Sequence, residues 1–289
     1  MEQVVVDDVK IIECPRDAIQ GIETFIDTDK KIRYLNRLLK VGFDTLDFGS
    51  FVSPKAVPQM ADTESVLEGL DWEDSDTKLL AIVANIRGAK MAASHRGIVY
   101  MGYPFSISET FQLRNTHESM EAALETVKAI QEICNRHDKT LVLYMSMAFG
   151  NPYGDPYDRE IVNHWVNVFD QIGIRTISLS DTVGMANAAD VSYLYRHLIP
   201  AFPQIEFGGH FHSTPSSWEE KLAAAYDNGC GRFDGALGGY GGCPMALDDL
   251  VGNIATENLL RFLMKRGVPL HIDENALSEA QALLAEVFS

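Results

Sequence analysis

Basic residues, cysteines and long apolar runs are all scarce in this 289-residue chain. The four cysteines lie far apart and form no CxxC pair, a pattern typical of reduced thiols rather than of a disulfide scaffold. No apolar run approaches the ~20 residues that a membrane-spanning helix needs. The N-terminal residues have neither the basic start of a signal peptide nor the arginine-rich composition of a transit peptide. We therefore expect a cytoplasmic protein that is not inserted in a membrane.

The shortage of basic residues bears on the partners of the chain. Lysine and arginine total 24 against 41 aspartates and glutamates, which gives a formal net charge of −17 at pH 7. A field of this sign repels phosphate backbones and anionic lipids. We expect neither nucleic acid nor a membrane surface as a partner, whereas a small anionic substrate requires only a locally positive site.

Short β-like runs alternate with longer amphipathic segments along the whole sequence. Hydrophobic residues make up 46% and charged residues 22%, close to the globular average, so wholesale disorder is excluded. Strands separated by helix-length patterns indicate βαβ units and a parallel sheet. The eight predicted strands are Val9–Glu13, Thr45–Phe48, Leu79–Ala84, Ile98–Tyr103, Leu141–Met147, Thr176–Leu179, a run from Ile205 towards His212, and Arg232–Ala236.

Eight βα units without a linker or a change in composition favour a closed (β/α)8 barrel, the TIM barrel, over an open doubly wound sheet. We predict an α/β protein with one domain over residues 1–289, in which the barrel occupies about residues 9–268. An amphipathic segment at residues 273–288 predicts an extra helix after the barrel. Active sites of such barrels lie at the carboxyl ends of the strands, so polar residues there are the candidates for function.

The carboxyl ends of the first two strands carry charged side chains. Arg16 and Asp17 follow the first strand, and Asp47 ends the second, before a loop that begins at Ser50. An arginine beside an aspartate is often a surface ion pair, and loop hydroxyls often cap a helix. Position alone leaves the structural and the functional interpretations open.

Two histidines end the seventh strand. His210 and His212 are two positions apart, so in a strand their side chains point to the same side. Neutral imidazole binds divalent metals, and Asp17 would add a charged oxygen and Asn253 a neutral one. This donor set suits Mg²⁺, Mn²⁺ or another divalent ion rather than a closed zinc site. The alternatives are a chance HxH pair and, for Asn253, a helix N-cap.

A glycine-rich loop follows the eighth strand. Residues 238–244 read GGYGGCP, and glycines allow positive φ and movement. One interpretation is a flexible turn, and the other is a closing loop that carries Cys243 as a reactive thiol. Phosphate-binding motifs of the GxGKS and GxGxxG types are absent from the sequence.

Six stretches together resemble the family of 3-hydroxy-3-methylglutaryl-CoA (HMG-CoA) lyases, within the metal-dependent barrels of lyases and acyltransferases. They follow family order from about residue 9 to residue 265, and the most specific are SFVSPKAVPQM at residues 50–60 and GGCP at residues 241–244. The other four are PRD at residues 15–17 with Gln20, SDTVG at 180–184, HFH at 210–212 and GNIATE at 252–257. The resemblance implies a single barrel domain of the pyruvate-carboxyltransferase type.

The resemblance also implies an activity: cleavage of an acyl-CoA, HMG-CoA, to acetyl-CoA and acetoacetate with a divalent metal, Mg²⁺ or Mn²⁺. It implies a homo-oligomer, a dimer, with a place in leucine degradation and ketone-body formation. Arg16 resembles the cation that stabilises the thioester enolate, and Cys243 matches the mobile catalytic cysteine. The implied catalytic residues are Arg16, Asp17, Asp47, His210 and Cys243; the metal ligands are Asp17, His210, His212 and Asn253; the substrate-binding residues are Arg16, Gln20, Ser50 and Asp181.

Several residues depart from the family pattern. Asp47 stands where these lyases usually have glutamate, Cys14 replaces a Val-Gly pair, Ser213 and Pro215 replace an aspartate and a tyrosine, and the usual lysine near Glu23 is missing. An alternative is therefore a related retro-aldol or retro-Claisen lyase on a different 3-hydroxy acyl substrate, not necessarily a CoA thioester. A further alternative is an inactive barrel that serves as a binding protein, which the retained ligand set and loop cysteine disfavour.

Overall fold

The computed structural model describes residues 8–242 and 251–288, and it confirms all eight predicted strands. The strands are β1 (Lys10–Glu13), β2 (Thr45–Ser50), β3 (Lys78–Ile82), β4 (Ile98–Ser106), β5 (Thr140–Ser146), β6 (Thr176–Asp181), β7 (Glu206–Ser213) and β8 (Arg232–Gly235). Each strand pairs in parallel with the next, and β8 pairs with β1, so the sheet closes. The protein is a TIM barrel, as the alternating pattern predicts.

Helices follow the strands and bury their apolar sides against the outside of the barrel. In one of them Val162, Val166 and Phe169 recur at helical spacing and are fully buried, while the Asp158 carboxylate caps its first turn by accepting from the Ile161 amide at 2.8 Å. The helices are α1 (Pro15–Ile19), α2 (Thr28–Leu38), α3 (Thr63–Glu68), α4 (Ile86–Ser94), α5 (Glu109–Thr116), α6 (Met120–Arg136), α7 (Arg159–Gln171), α8 (Ala188–Ala201), α9 (Trp218–Tyr226), α10 (Thr256–Lys265) and α11 (Glu274–Val287). Within the described ranges, none of these is both long and apolar enough to cross a bilayer.

The extra helix after the barrel is α11, one residue inside the predicted limits at each end. The Asp273 amide donates to the carbonyl of Val41 at 2.9 Å, in the turn that leads into β2. At Gly42 in that turn φ is +96°, and a Cβ would lie 2.2 Å from the carbonyl oxygen of His271. Only glycine fits this close approach without strain. The contact docks the C-terminal segment on the start of the barrel.

A short strand joins the C-terminal part of the chain to the mouth of the barrel. It is β9 (Gly252–Asn253), which pairs antiparallel with β7 so that Asn253 lies opposite His212. The sequence did not predict this strand because two residues carry no periodic signal. The pairing places Asn253 beside the two histidines, whereas the N-cap position of α10 is held by Ala255.

Candidate active site

The carboxyl ends of the strands open into a cavity of about 390 Å³. The predicted site residues that line this cavity are Arg16, Asp17, Gln20, His210 and His212. The other walls come from the β2 loop, from β3 to β6 and from the α5–α6 connection, and include Val52, Ser53, Val57, Tyr144, Ser146, Ser180 and His117. The charged and imidazole side chains of the cavity therefore come mainly from α1 and β7, and its other walls are largely uncharged.

The hydrogen bonds of the two β7 histidines fix which ring nitrogen is available to a ligand. His212 donates from Nδ1 to the carbonyl oxygen of Thr182 at 2.9 Å, so its Nε2 carries the free lone pair. His210 Nδ1 lies 2.9 Å from Asp234 Oδ2, so Nε2 of that ring points away from Asp234. Burial and the neighbouring His210 lower the pKa of His212. Burial also acts to lower the pKa of His210, but the hydrogen bond to Asp234 and the charges of Asp234 and Asp17 outweigh burial and raise that pKa.

Asp17 lies between the histidines and the C-terminal part of the chain. Its Oδ2 accepts from Asn253 Nδ2 at 2.6 Å and lies 4.0 Å from His212 Nε2. Burial alone would raise the pKa of Asp17, but Arg16 and both histidines outweigh burial and hold the pKa at about 2. The carboxylate is therefore ionised at neutral pH, as a metal ligand must be.

These residues fit a divalent ion. Donor atoms of Asp17, His210 and His212 all lie within 4.8 Å of one another, and all three residues are buried. The Nε2 atom of His212 is buried and has no hydrogen-bond partner among residues 8–242 and 251–288, a costly arrangement unless a ligand uses its lone pair. Asn253 spends its amide hydrogens on Asp17 and on the carbonyl of Tyr240, which leaves its Oδ1 to bind a cation. Two imidazole nitrogens, a carboxylate oxygen and an amide oxygen form a donor set that a divalent ion can use.

Arg16 is held in place by three side chains at the edge of the cavity. Its Nε and Nη2 donate to the Asp47 carboxylate at 3.0 and 2.5 Å, and its Nη1 donates to Asp17 Oδ1 at 2.9 Å and to Gln20 at 3.0 Å. One N–H of Nη2 remains for a ligand in the cavity that the guanidinium lines. Within the described part of the chain, Arg16 is therefore a fixed cation with one N–H that no side chain uses.

Asp47 lies behind Arg16 and does not reach the cavity surface. Its side chain is 0% exposed, and burial raises its pKa to about 6 although the charge of Arg16 acts in the opposite direction. The carboxylate still contacts the guanidinium through both oxygens, even though aspartate is one methylene shorter than the family's glutamate. Asp47 thus orients Arg16 instead of touching a ligand.

Four predicted site residues, Asp47, Asn253, Ser50 and Asp181, are not among the described residues that line the cavity. Ser50 is buried beneath the β2 loop, where its backbone exchanges hydrogen bonds with the Thr63 hydroxyl. Asp181 points away from the barrel interior, while its neighbours Ser180 and Thr182 line the cavity. Cys243 lies outside the described residues.

The partner of Asp181 is Lys221, a residue that the sequence did not single out. Lys221 Nζ lies 2.6 Å from Asp181 Oδ2 and also donates to the carbonyls of His212 and Gly184 at 2.9 and 3.0 Å. Both side chains are 1% exposed. The signal in the sequence was a lysine on the face of α9 where Leu222 and Ala225 are buried. Lys221 fixes the end of β7 from outside the barrel.

Replacing Lys221 by methionine is expected to lower the free energy of unfolding by roughly 3–5 kcal/mol, because it leaves a buried carboxylate without its cation. The measurement is urea unfolding followed by circular dichroism. Lys265→Met is a matched control, since Lys265 is 61% exposed and pairs with Glu219 of α9 across 3.6 Å. Such a surface pair contributes about 1 kcal/mol or less. Equal losses in the two variants would contradict the structural role of the buried pair.

A second residue that the sequence did not single out is Glu13, at the end of β1. Its carboxyl oxygens accept from the Leu237 amide at 2.8 Å and from the Thr256 hydroxyl at 2.5 Å. Burial raises the pKa of Glu13 to about 8, against the effect of these two hydrogen bonds. Glu13 ties β1 to the start of the glycine-rich loop and to the first turn of α10.

The fold and this site place the chain among the TIM-barrel enzymes that carry a divalent-metal site at the carboxyl ends of their strands. The chain belongs to the HMGL-like family, whose model matches residues 8–284. This match confirms the resemblance seen in the six sequence stretches. Its curated relatives are lyases that cleave carbon–carbon bonds, so the chain is an enzyme of the carbon–carbon lyase class.

Individual relatives align with nearly the whole chain. The 3-hydroxy-3-isohexenylglutaryl-CoA/hydroxy-methylglutaryl-CoA lyase of Pseudomonas aeruginosa is 33% identical over 277 residues, which cover 94% of this chain and 90% of that protein. The (R)-citramalyl-CoA lyase of Chloroflexus aurantiacus is 30% identical, with coverage of 99% and 91%. The structure of an HMG-CoA lyase from Acinetobacter baumannii in complex with coenzyme A and 3-methylmalate is 32% identical, with a TM-score of 0.89 and coverage of 97% and 91%.

Proposed function

We propose that this chain cleaves HMG-CoA to acetyl-CoA and acetoacetate with the help of Mg²⁺ or Mn²⁺. The observation that carries the proposal is the group formed by Asp17, His210 and His212, whose donor atoms lie within 4.8 Å of one another beside the fixed cation Arg16. Cleavage of a 3-hydroxy acyl thioester between C2 and C3 needs both features, because one makes the substrate alcohol acidic and the other stabilises the charge that the broken bond leaves behind.

Two groups of residues act in the cleavage of the C2–C3 bond. A divalent ion held by Asp17, His210, His212 and Asn253 would supply Lewis acidity that makes the C3 hydroxyl of the substrate easier to deprotonate. As the C2–C3 bond breaks, C3 becomes the ketone of acetoacetate and the electron pair moves into the thioester enolate. Arg16 donates its remaining N–H to that enolate oxygen and stabilises the negative charge.

The enolate must then gain a proton at C2 to become acetyl-CoA. We assign this step to Cys243, which lies outside the described residues and follows the glycine-rich loop that begins after β8. Glu13 and Asn253 hold the first part of this loop, through the Leu237 amide and the Tyr240 carbonyl. The proton lost from the C3 hydroxyl balances the proton gained at C2.

The direct test is a product analysis of the purified chain with HMG-CoA and either Mg²⁺ or Mn²⁺. We expect equal amounts of acetyl-CoA and acetoacetate, no turnover in excess EDTA, and recovery when the metal is restored, because a tertiary alcohol without a metal is too weak an acid near neutral pH. Full activity in EDTA, with no metal found by elemental analysis, would contradict the proposal.

A different acyl group on the same thioester is the second candidate function. It is supported by the (R)-citramalyl-CoA lyase, which matches 99% of this chain, and by the changes at Asp47, Ser213 and Glu23. The two candidates are separated by running HMG-CoA and citramalyl-CoA in parallel assays under the same metal concentration. A much larger kcat/KM for citramalyl-CoA would move the assignment to the second candidate and leave the metal ligands unchanged.

Removing His212 is expected to weaken the metal site before anything else. His212→Ala deletes a ligand, so Mn²⁺ affinity should fall by more than the roughly 10–100-fold that loss of a mere supporting residue costs. Electron paramagnetic resonance of free Mn²⁺ measures this directly. His197→Ala is the control, because that ring is exposed on α8 and its hydrogen bond is to the Tyr193 carbonyl of its own helix. Unchanged Mn²⁺ affinity in His212→Ala would remove His212 from the ligand set.

Four further expectations stay predictions of the sequence and its resemblance. They are the dimeric state, the cytoplasmic location, the place in leucine degradation and the role in ketone-body formation. Size-exclusion chromatography with light scattering tests the first of these on the same purified sample.

A further inference from the structure

A second group of metal-binding side chains lies beside the first and shares one histidine with it. Donor atoms of Cys14, His210 and Asp234 lie within 4.8 Å of one another, and all three residues are buried. Cys14 is the residue between β1 and α1, and Asp234 lies in β8, the strand that pairs with β1. The two groups have only His210 in common, so they are separate sets of ligands around a shared ring.

Two atoms of this second group, Asp234 Oδ1 and Cys14 Sγ, have few hydrogen bonds in the described part of the chain. Asp234 is 1% exposed, and while its Oδ2 bonds His210, its Oδ1 has no hydrogen-bond partner in the described part of the chain. A buried carboxylate oxygen without a partner is costly, so it points to a ligand. Among the described residues, the Cys14 sulfur makes a single long hydrogen bond, of 3.7 Å, to the carbonyl of Ile12.

We propose that Cys14, His210 and Asp234 form a second metal site, which takes a thiophilic divalent ion such as Zn²⁺ or Cd²⁺. Sulfur, imidazole and carboxylate together are the donor set of zinc sites, whereas Mg²⁺ and Mn²⁺ prefer oxygen. The group around Asp17 contains no sulfur, so a thiolate–metal bond distinguishes the second site from the first. Binding forms metal bonds to the Cys14 sulfur and to His210 Nδ1, and it releases the Cys14 thiol proton and the Nδ1 proton of His210 to the buffer.

The charge of the surroundings agrees with a cation in this position. The negative charges of Asp234, Asp47 and Asp17 act on the Cys14 sulfur, and Arg16 is the cation that opposes them. Since Arg16 is already paired with Asp47 and Asp17, Asp234 is the carboxylate left to balance a bound ion. An incoming ion would then compete with the Nδ1 proton of His210 for the same carboxylate.

The experiment is a titration of the full-length chain with Cd²⁺, followed by the ultraviolet charge-transfer band of a thiolate–Cd²⁺ bond. We expect the band to saturate at a single equivalent, to disappear in Cys14→Ser, and to persist in Cys134→Ser, the matched variant of a buried thiol on α6. It should also persist in Cys243→Ser, which separates this site from the loop cysteine. Loss of the band in Cys243→Ser but not in Cys14→Ser would overturn the proposal.

Two further measurements keep the test independent of lyase activity and of folding. His212→Ala removes a ligand of the first site only, so it should lose Mn²⁺ affinity while keeping the thiolate–Cd²⁺ band. If Cys14→Ser fails to fold, cadmium NMR of the wild-type chain replaces it, because the chemical shift separates a sulfur-bound ion from one held by nitrogen and oxygen alone. A shift typical of nitrogen and oxygen ligands, or no band in the wild type, would show that the second site does not exist.

Discussion

Replacing Arg16 by glutamine is expected to lower kcat for HMG-CoA cleavage by roughly 10²–10³-fold, the usual loss when one charge-stabilising donor is removed from a closed site. The guanidinium lines the cavity and has one Nη2 hydrogen to offer the thioester oxygen, while Asp47, Asp17 and Gln20 occupy its other donors. Glutamine keeps a neutral donor but no charge. The measurement is the steady-state release of acetyl-CoA at saturating Mg²⁺ or Mn²⁺.

Metal affinity must be measured on the same variant, because Arg16 also contacts a proposed ligand. Its Nη1 lies 2.9 Å from Asp17 Oδ1, and loss of such a supporting contact typically costs about 10–100-fold in affinity or activity. Arg16→Lys is the matched control, since it keeps the charge but cannot bond Asp47 and Asp17 as a fork, so we expect it to recover part of kcat. A glutamine variant with unchanged kcat at saturating metal would show that Arg16 does not act on the substrate.

Most of the fold could be predicted from local pattern, because each strand is short, apolar and followed by a helical repeat. The strand ends were less accurate where irregular residues interrupt the pattern. β4 continues three residues past its predicted end at Tyr103, because Pro104 to Ser106 stay in register with β5. β2 likewise runs on to Ser50 through a register shift between Asp47 and Gly49. The added residues are strand because they pair with a neighbouring strand, and the local sequence does not predict that pairing.

Some residues of the candidate site could be predicted from local sequence pattern, and others are placed by contacts between distant parts of the chain. The His210–His212 pair and Asp17 could be found from strand periodicity and position, since both lie where strands of a barrel end. For Asn253 the sequence left a metal ligand and a helix N-cap both open, because the strand that places it opposite His212 has only two residues. Asp181 shows what the sequence could not reveal. Asp181 follows the cavity-lining Ser180 in β6, yet it pairs with Lys221 of α9 outside the barrel.

The chain is expected to cleave the CoA thioester of 3-hydroxy-3-methylglutarate and to leave the free acid almost untouched. The chemical reason is that a thioester carbonyl accepts the electron pair of the breaking C2–C3 bond as an enolate, whereas a free carboxylate already carries a negative charge. The contacts of a CoA moiety would add binding energy that is used in the transition state. Both effects favour the thioester, so its kcat/KM should be larger by orders of magnitude.

The residues around the cavity bear on this expectation in both directions. Val52, Ser53, Ala56 and Val57, from the stretch that most resembles CoA-cleaving lyases, line the cavity. Against a CoA ligand stand the missing lysine near Glu23 and the net charge of −17, which local donors must overcome. The loop evidence is the more direct, because it places family-typical residues at the cavity wall, whereas the net charge is a property of the whole surface.

The measurement compares kcat/KM for the thioester and the free acid under the same metal and salt concentrations. Raising the salt concentration serves as the internal control: it screens the repulsion between an anionic substrate and an acidic protein, so kcat/KM for HMG-CoA should rise or hold instead of falling. Equal values for the two substrates, or a preference for the free acid, would assign the chain to a lyase that does not use CoA. Asp17, His210 and His212 would remain the proposed metal ligands in that case, because their geometry does not depend on how the carboxyl group of the substrate is activated.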